Sequence, residues 1–217
     1  MTPAHTIARW LGVVAAIALL AVPGSLADIA VSSAAMVVAR ATGAAFPSEV
    51  SFVDHGVTYH LTATGVAVRT KFIFKVYSVA HYLDDRSAAV RPGIVQRILS
   101  DDVAKQITME FARDLRADQI RDGLIQSYTR NASHEELHAT RPLLDRFLAA
   151  THKDVVKGER FVVRWLPGGR LQGVYGGTIA CEITNPTFAR VFWSMWFGPH
   201  PVLDRDQLLA RVTAESS

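Results

Sequence analysis

The chain has 217 residues, which suits one domain with a buried core plus an N-terminal extension. Its 23 basic and 20 acidic residues leave a net charge of +3, which is too small to indicate a nucleic-acid partner. The single cysteine, Cys181, excludes an intrachain disulfide, a thiolate metal cluster and a two-cysteine redox motif.

Residues 1–27 have the pattern of a secretory signal peptide. A short basic region ends at Arg9, an apolar run of twelve residues occupies 11–22, and small residues follow. Twelve residues are too few to span a bilayer comfortably, so we predict export, either to the periplasm or out of the cell. Residues 28–45 stay apolar and predict a linker or an extended leader, which would tether the protein if it is not cleaved. The globular domain is predicted over 46–217.

Alternating apolar and polar residues predict strands in the first half of the domain. The strand-like runs are 50–53, 57–64, 65–83, 94–99 and 103–111. The longest run, 65–83, has one mostly apolar face and an opposite face that carries Arg69 and Tyr77. Such a mixed face suits either solvent or the floor of a ligand site. The runs 94–99 and 103–111 predict a hairpin.

The periodicity changes to that of a helix after Asp114. One face of the predicted helix, about 116–130, carries Ile120, Gly123, Leu124, Ser127 and Tyr128. Two of these five side chains are small. The face therefore either leaves a gap in which a ligand can lie or permits a close approach of helix and sheet.

The second half of the domain mixes helices and strands. Ser133 and Glu136 form a capping box that begins a helix, which Pro142 kinks or interrupts. Strands are predicted at 161–166, 171–175 and 178–183. Asn185 caps a further helix, and a short last helix follows Asp204. Together the elements predict an α+β fold with a layer of helices packed on an antiparallel sheet, an open-faced β-sandwich.

The sequence HEELH at 134–138 matches the H-E-x-x-H pattern of zinc hydrolases. In that pattern two imidazoles at i and i+4 point the same way from a helix, and the adjacent Glu acts as general base. The context argues against a metal site, because the segment follows the Ser133 cap directly, lies one turn from Pro142 and has Arg141 where the metzincin motif requires Gly. No metal and no cofactor is predicted, and the turn glycines lack the spacing of a phosphate loop.

Several short motifs follow one another in a defined order. They are Phe46-Pro47, GVAVRTK at 65–71, Val76-Tyr77, Tyr82-Leu83, the run from Phe188-Ala189-Arg190 to Trp196-Phe197-Gly198-Pro199-His200-Pro201, and Leu208-Leu209. In this order they resemble the chalcone isomerase-like family from residue 46 to the C-terminus. The resemblance implies the fold of that family for 46–217.

The resemblance also implies a site around Arg69. In the plant isomerases of the family, an Arg after a Gly-x-Gly-x pattern helps to polarise the substrate ketone. Arg69 occupies the matching position, although Ala67 replaces the second Gly. The partner positions, which are Thr, Tyr, Asn and Thr in the isomerases, correspond here to Tyr77, Ile120, Ser127 and Met195. The loss of the Tyr and the Asn argues against chalcone cyclisation.

A second branch of the family is implied to bind fatty acids, with an Arg and a Tyr on the carboxylate and apolar walls around the tail. On that pattern the predicted ligand-binding residues are Arg69, Tyr77, Ile120, Leu124, Ser127 and Met195. Eight residues of straight strand span roughly 26 Å. Arg69 and Tyr77 can therefore share one carboxylate only if the chain bends or folds back between them.

The leading hypothesis is an exported chalcone isomerase-like protein that binds a small amphipathic acid, such as a fatty acid, without turning it over. One alternative is an isomerase, an intramolecular lyase acting on an unidentified ketone. Another is a structural or partner-binding module whose cleft is vestigial. The predicted partner is accordingly a small organic acid or ketone, with no nucleic acid and no strong membrane partner beyond an uncleaved leader. No catalytic residue is assigned.

Overall fold

The computed structural model describes residues 35–84, 93–100 and 103–214. The strands in these ranges are β1 (Met36–Ala39), β2 (Ala44–Pro47), β3 (Glu49–Asp54), β4 (Val57–Lys71), β5 (Phe74–Asp84), β6 (Lys105–Phe111), β7 (Arg160–Leu166), β8 (Arg170–Tyr175) and β9 (Thr178–Thr184). The helices are α1 (Ile94–Ile98), α2 (Ala117–Asn131), α3 (His134–Thr151), α4 (Pro186–Phe197) and α5 (Arg205–Ala214). No helix in these ranges is both long and apolar enough to cross a membrane. The predicted signal peptide, 1–27, lies outside them.

Strands β3 to β9 form a seven-stranded antiparallel sheet in which each strand pairs with the next along the chain. Strands β1 and β2 form a separate two-stranded sheet. Helix α5 packs on β4, α3 packs on β9, and α2 packs on α4. The predicted α+β architecture, helices layered on an antiparallel sheet, is therefore confirmed.

The prediction of one continuous strand over 65–83 is wrong, because the chain folds back in its middle. Strand β4 ends at Lys71 and β5 begins at Phe74, so only two residues form the turn. Phe72 has a φ of 55°, in a left-handed region that hairpin turns usually fill with Gly, Asn or Asp. The usual turn signal is therefore missing from the sequence. The fold-back makes Arg69 and Tyr77 cross-strand partners.

The predicted hairpin of 94–99 with 103–111 is wrong in its first arm. Residues Ile94–Ile98 form helix α1, and only the second arm contains a strand, β6. The four apolar side chains of this arm are spaced as one face of a helix and pack on the main core: Ile94, Val95, Ile98 and Leu99. An apolar run this short does not distinguish a strand from a turn of helix by its pattern alone.

The helix starts follow the predicted capping residues. Ser133 Oγ accepts a hydrogen bond from the backbone N–H of Glu136 at 3.2 Å, which begins α3. Asn185 Oδ1 accepts one from the backbone N–H of Phe188 at 2.8 Å, which begins α4. Pro142 lies inside α3, and the helix continues past it.

Two buried clusters lie on opposite faces of the sheet. Successive residues of β5 alternate between them, as Val79 and Ala80 do. The cluster beneath the helices includes Val79, Ile107, Phe147, Trp165, Phe192 and Trp193. The second cluster contains the fully buried Phe46 of β2 together with Leu61, Ala80 and Tyr82. Residues 36–45, predicted as part of a linker or leader, thus contain β1 and the start of β2 and differ from the prediction there.

Candidate functional site

A cavity of about 330 Å³ lies between the sheet and helices α2 and α4. This volume is near the lower end of the range for small-molecule pockets, about 300–1,000 Å³. Most of its wall is apolar and comes from β5, β6, α2 and α4: Val76, Met109, Phe111, Ile120, Leu124 and Met195. The arrangement suits an organic ligand that is mainly hydrocarbon.

One polar part of the cavity wall is built around Arg69, near the end of β4. Its Nη1 donates to the Ser127 hydroxyl at 3.3 Å and approaches the Tyr77 hydroxyl oxygen at 3.5 Å. The guanidinium carbon lies 5.7 Å from the centre of the Tyr77 ring. Ser127 Oγ donates its own hydrogen to the carbonyl oxygen of Gly123 at 2.7 Å, so its lone pairs face Arg69. The guanidinium is thus held between a strand and a helix.

Arg69 forms no ion pair within the described part of the chain, although Asp122 also lines the cavity. The recorded partners of Arg69 are the hydroxyls of Tyr77 and Ser127. The side chain is half-buried, and Tyr77 is 9% exposed. A partly desolvated guanidinium beside hydroxyls can bind an anion with parallel hydrogen bonds.

Gly123 of α2 makes room for the cavity. A Cβ atom at this position would meet no atom within 4 Å, although the residue lines the cavity. Of the two interpretations of the small residues on α2, the structure therefore favours a gap at Gly123 over a close approach of helix and sheet.

A second part of the wall is aromatic. The rings of Phe161 and Tyr175 lie 4.4 Å apart, and Phe147 packs on Phe161 at 6.4 Å. Burial, with the nearby charge of Glu159, raises the pKa of Tyr175 to about 12. The phenol therefore stays neutral at physiological pH, and this part of the wall carries no charge of its own from Tyr175.

All the residues predicted to bind a ligand line this one cavity. They are Arg69, Tyr77, Ile120, Leu124, Ser127 and Met195. The geometric requirement on Arg69 and Tyr77 is met, because the β4–β5 hairpin places them side by side rather than along one strand. Whether these residues bind a ligand stays a prediction.

Sequence reasoning missed the contribution of β6 and of the hairpin turn. Met109 and Phe111 line the cavity, and the ring of Phe111 packs edge-on against Tyr77 with centres 6.5 Å apart. Phe72 and Arg113 line it as well. The alternating apolar residues of β6 indicated a strand but not its position in the sheet. In the structure Phe111 pairs with Tyr77, which pairs with Arg69, and this register brings β6 to the cavity.

The HEELH segment lies at the exposed start of α3, away from the cavity lining. His134, Glu135 and His138 are exposed, and Glu136 caps the helix and contacts Arg190. Among the described residues, a different group places three possible metal-ligating atoms together: Asp54, His55 and Glu182. There the Asp54 carboxylate is already bound by Arg170 and Gln172. Neither group gives reason to assign a metal.

Comparison with known families decides the relationship. The sequence profile described as chalcone isomerase-like matches residues 39–210, which is most of the chain. The chain belongs to the chalcone isomerase-like family. A comparison with curated protein sequences gives no match.

The structure of this chalcone isomerase-like chain is similar to a crystal structure of an Arabidopsis thaliana fatty-acid binding protein. The TM-score is 0.66, and the match covers 83% of this chain and 98% of that chain at 16% sequence identity. At this identity the likeness establishes the shared fold. The chemistry of the chalcone isomerase-like cavity must be argued from its own residues.

Proposed function

We propose that this chalcone isomerase-like protein is exported and binds a small amphipathic carboxylate, of the fatty-acid class, without transforming it. The observation that carries the proposal is the position of Arg69. It is a guanidinium without a carboxylate partner among the described residues, set in the wall of an otherwise mainly apolar cavity. Such a cation attracts an anionic group more strongly than it would in water.

The carboxylate would lie against Arg69 and Tyr77. Within the described ranges, the hydrogen-bond acceptors of Arg69 Nη1 are two hydroxyl oxygens, at 3.3 and 3.5 Å, so a carboxylate oxygen offers it a stronger, charge-assisted bond. The Tyr77 hydroxyl can donate a further hydrogen bond to the same group. Ser127 holds the guanidinium from the helix side and limits the rotamers it can adopt.

The hydrocarbon tail would follow the apolar walls. Leu124 of α2, Met195 of α4 and Met109 of β6 present side chains without formal charge to it. Each methylene group transferred from water contributes about 0.8 kcal/mol, so affinity should rise with chain length until the cavity is full. Methionines are unbranched and adapt to tails of different shape.

The structural neighbour supports the same ligand class. The Arabidopsis protein is described as a fatty-acid binding protein. Nearly its whole length, 98%, matches the fold of this chain. Arg69 and Tyr77 agree with the pattern implied for the fatty-acid-binding branch of the family. Ile120 and Met195, where the isomerases are implied to have Tyr and Thr, make the site poorer in hydroxyls than an isomerase site.

Native mass spectrometry of the purified protein tests the proposal. The wild type should carry a bound species that denaturation releases with the mass of a fatty acid. Arg69→Ala should reduce occupancy at least about tenfold, because hydrogen bonds to charged groups contribute about 1.5–3 kcal/mol each. Arg141→Ala, which removes an exposed arginine paired with Asp145, is the matched control and should keep the ligand.

Two other results would favour the alternatives. A wild type that is empty, and that takes up no fatty acid when one is added, contradicts binding and favours a partner-binding module with a vestigial cleft. A chalcone whose absorbance decays faster with the protein than in buffer would favour an isomerase instead.

A further inference from the structure

The turn between β4 and β5 carries an unusually exposed apolar surface, the hairpin tip Phe72-Ile73-Phe74. Phe72 is 88% exposed and Ile73 is 84% exposed, the two highest values among the large hydrophobic residues of the described chain. Phe74 is 54% exposed. Three consecutive exposed apolar residues are costly in water and mark a surface that contacts something else.

The backbone conformation of the turn makes a phenylalanine at position 72 unexpected. A two-residue hairpin turn favours Gly, Asn or Asp, because one or both of its central residues need a positive φ. Phe72 adopts a φ of 55° without the freedom that Gly would give. A turn residue chosen for stability or solubility would be small or polar, so the phenylalanine points to a role in contact.

Basic side chains flank the hairpin tip. Lys71 and Lys75 lie on either side of it in the sequence, and both are exposed. The guanidinium of Arg113 lies 5.2 Å from the centre of the Phe74 ring. Among the described residues that line the cavity, Asp122 is acidic whereas Arg69, Lys71 and Arg113 are basic. Apolar side chains with cations beside them match a surface that has anionic groups above a hydrocarbon layer.

The hairpin tip is also continuous with the cavity. Lys71, Phe72, Phe74 and Arg113 line the same cavity as Arg69. A surface that covers the tip would therefore lie against residues that line the cavity around Arg69.

We propose that the hairpin tip docks on an anionic lipid bilayer. Phe72 and Ile73 enter the interface, while Lys71, Lys75 and Arg113 lie at the level of the lipid phosphates. This adds a membrane partner that the composition of the chain did not predict. Docking does not depend on the proposed function; only the further step, passage of the acid between bilayer and cavity, rests on it.

Flotation with lipid vesicles tests the docking. The wild type should float with vesicles of phosphatidylcholine and phosphatidylglycerol in equal parts, and much less with phosphatidylcholine alone or at high salt. Phe72→Ser combined with Ile73→Ser should lower the apparent affinity at least about tenfold, because two large side chains no longer enter the interface. Ile73→Ser alone leaves the Phe72 turn intact and should give a smaller loss.

The matched control is Val53→Ser, which removes an exposed apolar residue, 68% accessible, beside the β3–β4 turn at the other end of β4 from the hairpin tip. It should float like the wild type. Lys71→Gln combined with Lys75→Gln should remove most of the preference for anionic vesicles. The Arg69→Ala protein should bind anionic vesicles as the wild type does, although it should no longer bind the fatty acid. This variant therefore separates the docking proposal from the proposed function.

Two results would overturn the docking proposal. The first is a wild type that does not float with anionic vesicles, and the second is a double tip variant that floats as well as the wild type. In the first case, gel filtration of both proteins is informative if the wild type self-associates and the double tip variant does not. That result would make the tip a contact between copies of the chain.

Discussion

His81 is a fully buried imidazole whose ring packs on Phe197 and Trp193. Its Nδ1 lies 2.7 Å from Thr64 Oγ1, which itself lies 2.7 Å from the carbonyl oxygen of Leu208. A carbonyl only accepts, and the threonine hydroxyl has one hydrogen to give it. Nδ1 of His81 therefore carries a proton and donates to Thr64. Nε2 is buried without a hydrogen-bond partner among the described residues, so it carries no proton and the imidazole is neutral.

This neutral state makes stability depend on pH. Burial, with the charge of Lys105, lowers the pKa of His81 to about 3. In the unfolded chain the imidazole keeps a pKa near 6.5, so the unfolded state takes up the proton first as the pH falls. Neutral His81 makes its full contribution to the free energy of unfolding above about pH 6.5, and this contribution is lost as the pH falls towards 3. Between pH 7 and pH 5 the loss is about 2 kcal/mol.

Urea unfolding at the two pH values measures this loss. His81→Gln removes the titrating ring but keeps an amide that can bond Thr64, so its stability should fall less from pH 7 to pH 5 than that of the wild type. His138→Gln, which changes an exposed histidine, should fall as the wild type does. An equal fall in wild type and His81→Gln would contradict the assignment.

At the scale of the elements, two glycines differ in how much space surrounds them. A Cβ at Gly65 of β4 would lie 2.2 Å from the carbonyl oxygen of Gln207 in α5, which is backbone and cannot move aside locally. A Cβ at Gly123 of α2 would meet nothing within 4 Å. The first glycine permits contact, whereas the second borders open space.

Alanine at the two positions should therefore have opposite effects. Gly65→Ala should destabilise the fold by about 1–3 kcal/mol, because α5 must shift away from β4. Gly123→Ala should stabilise it by about 0.5–1 kcal/mol, because alanine is the better helix former. Thermal or urea unfolding of both variants beside wild type gives the comparison. A neutral Gly65→Ala would show that α5 does not pack as closely as the structure indicates.

Element boundaries were predictable where a local side chain determines them. Ser133 and Asn185 cap their helices by bonds that span only three residues, so the sequence is enough. The β4–β5 turn was not predictable, because Phe72 takes a backbone conformation that its side chain disfavours. Helix α1 was missed because the pattern of so short an apolar run does not by itself distinguish a turn of helix from a strand.

At the scale of the whole molecule, the architecture was predictable because every strand of the large sheet pairs with its neighbour in sequence. Patterns within short stretches of sequence are then sufficient to predict the order of the strands in this sheet. The cavity depends on long-range contacts, such as that of Arg69 with Ser127, 58 residues away. Family resemblance supplied these two residues, but not Met109 or Phe111, which the register of β6 places opposite Val79 and Tyr77 of β5.

Isothermal titration with a fatty acid and with the alcohol of the same chain length tests the role of Arg69 most directly. The two ligands share the tail and differ in the charged group, so their ratio isolates the carboxylate. The proposed site predicts that wild type prefers the acid at least about tenfold, and that Arg69→Ala binds both ligands equally and the alcohol as wild type does. An Arg69→Ala protein that keeps the full preference for the acid would contradict it.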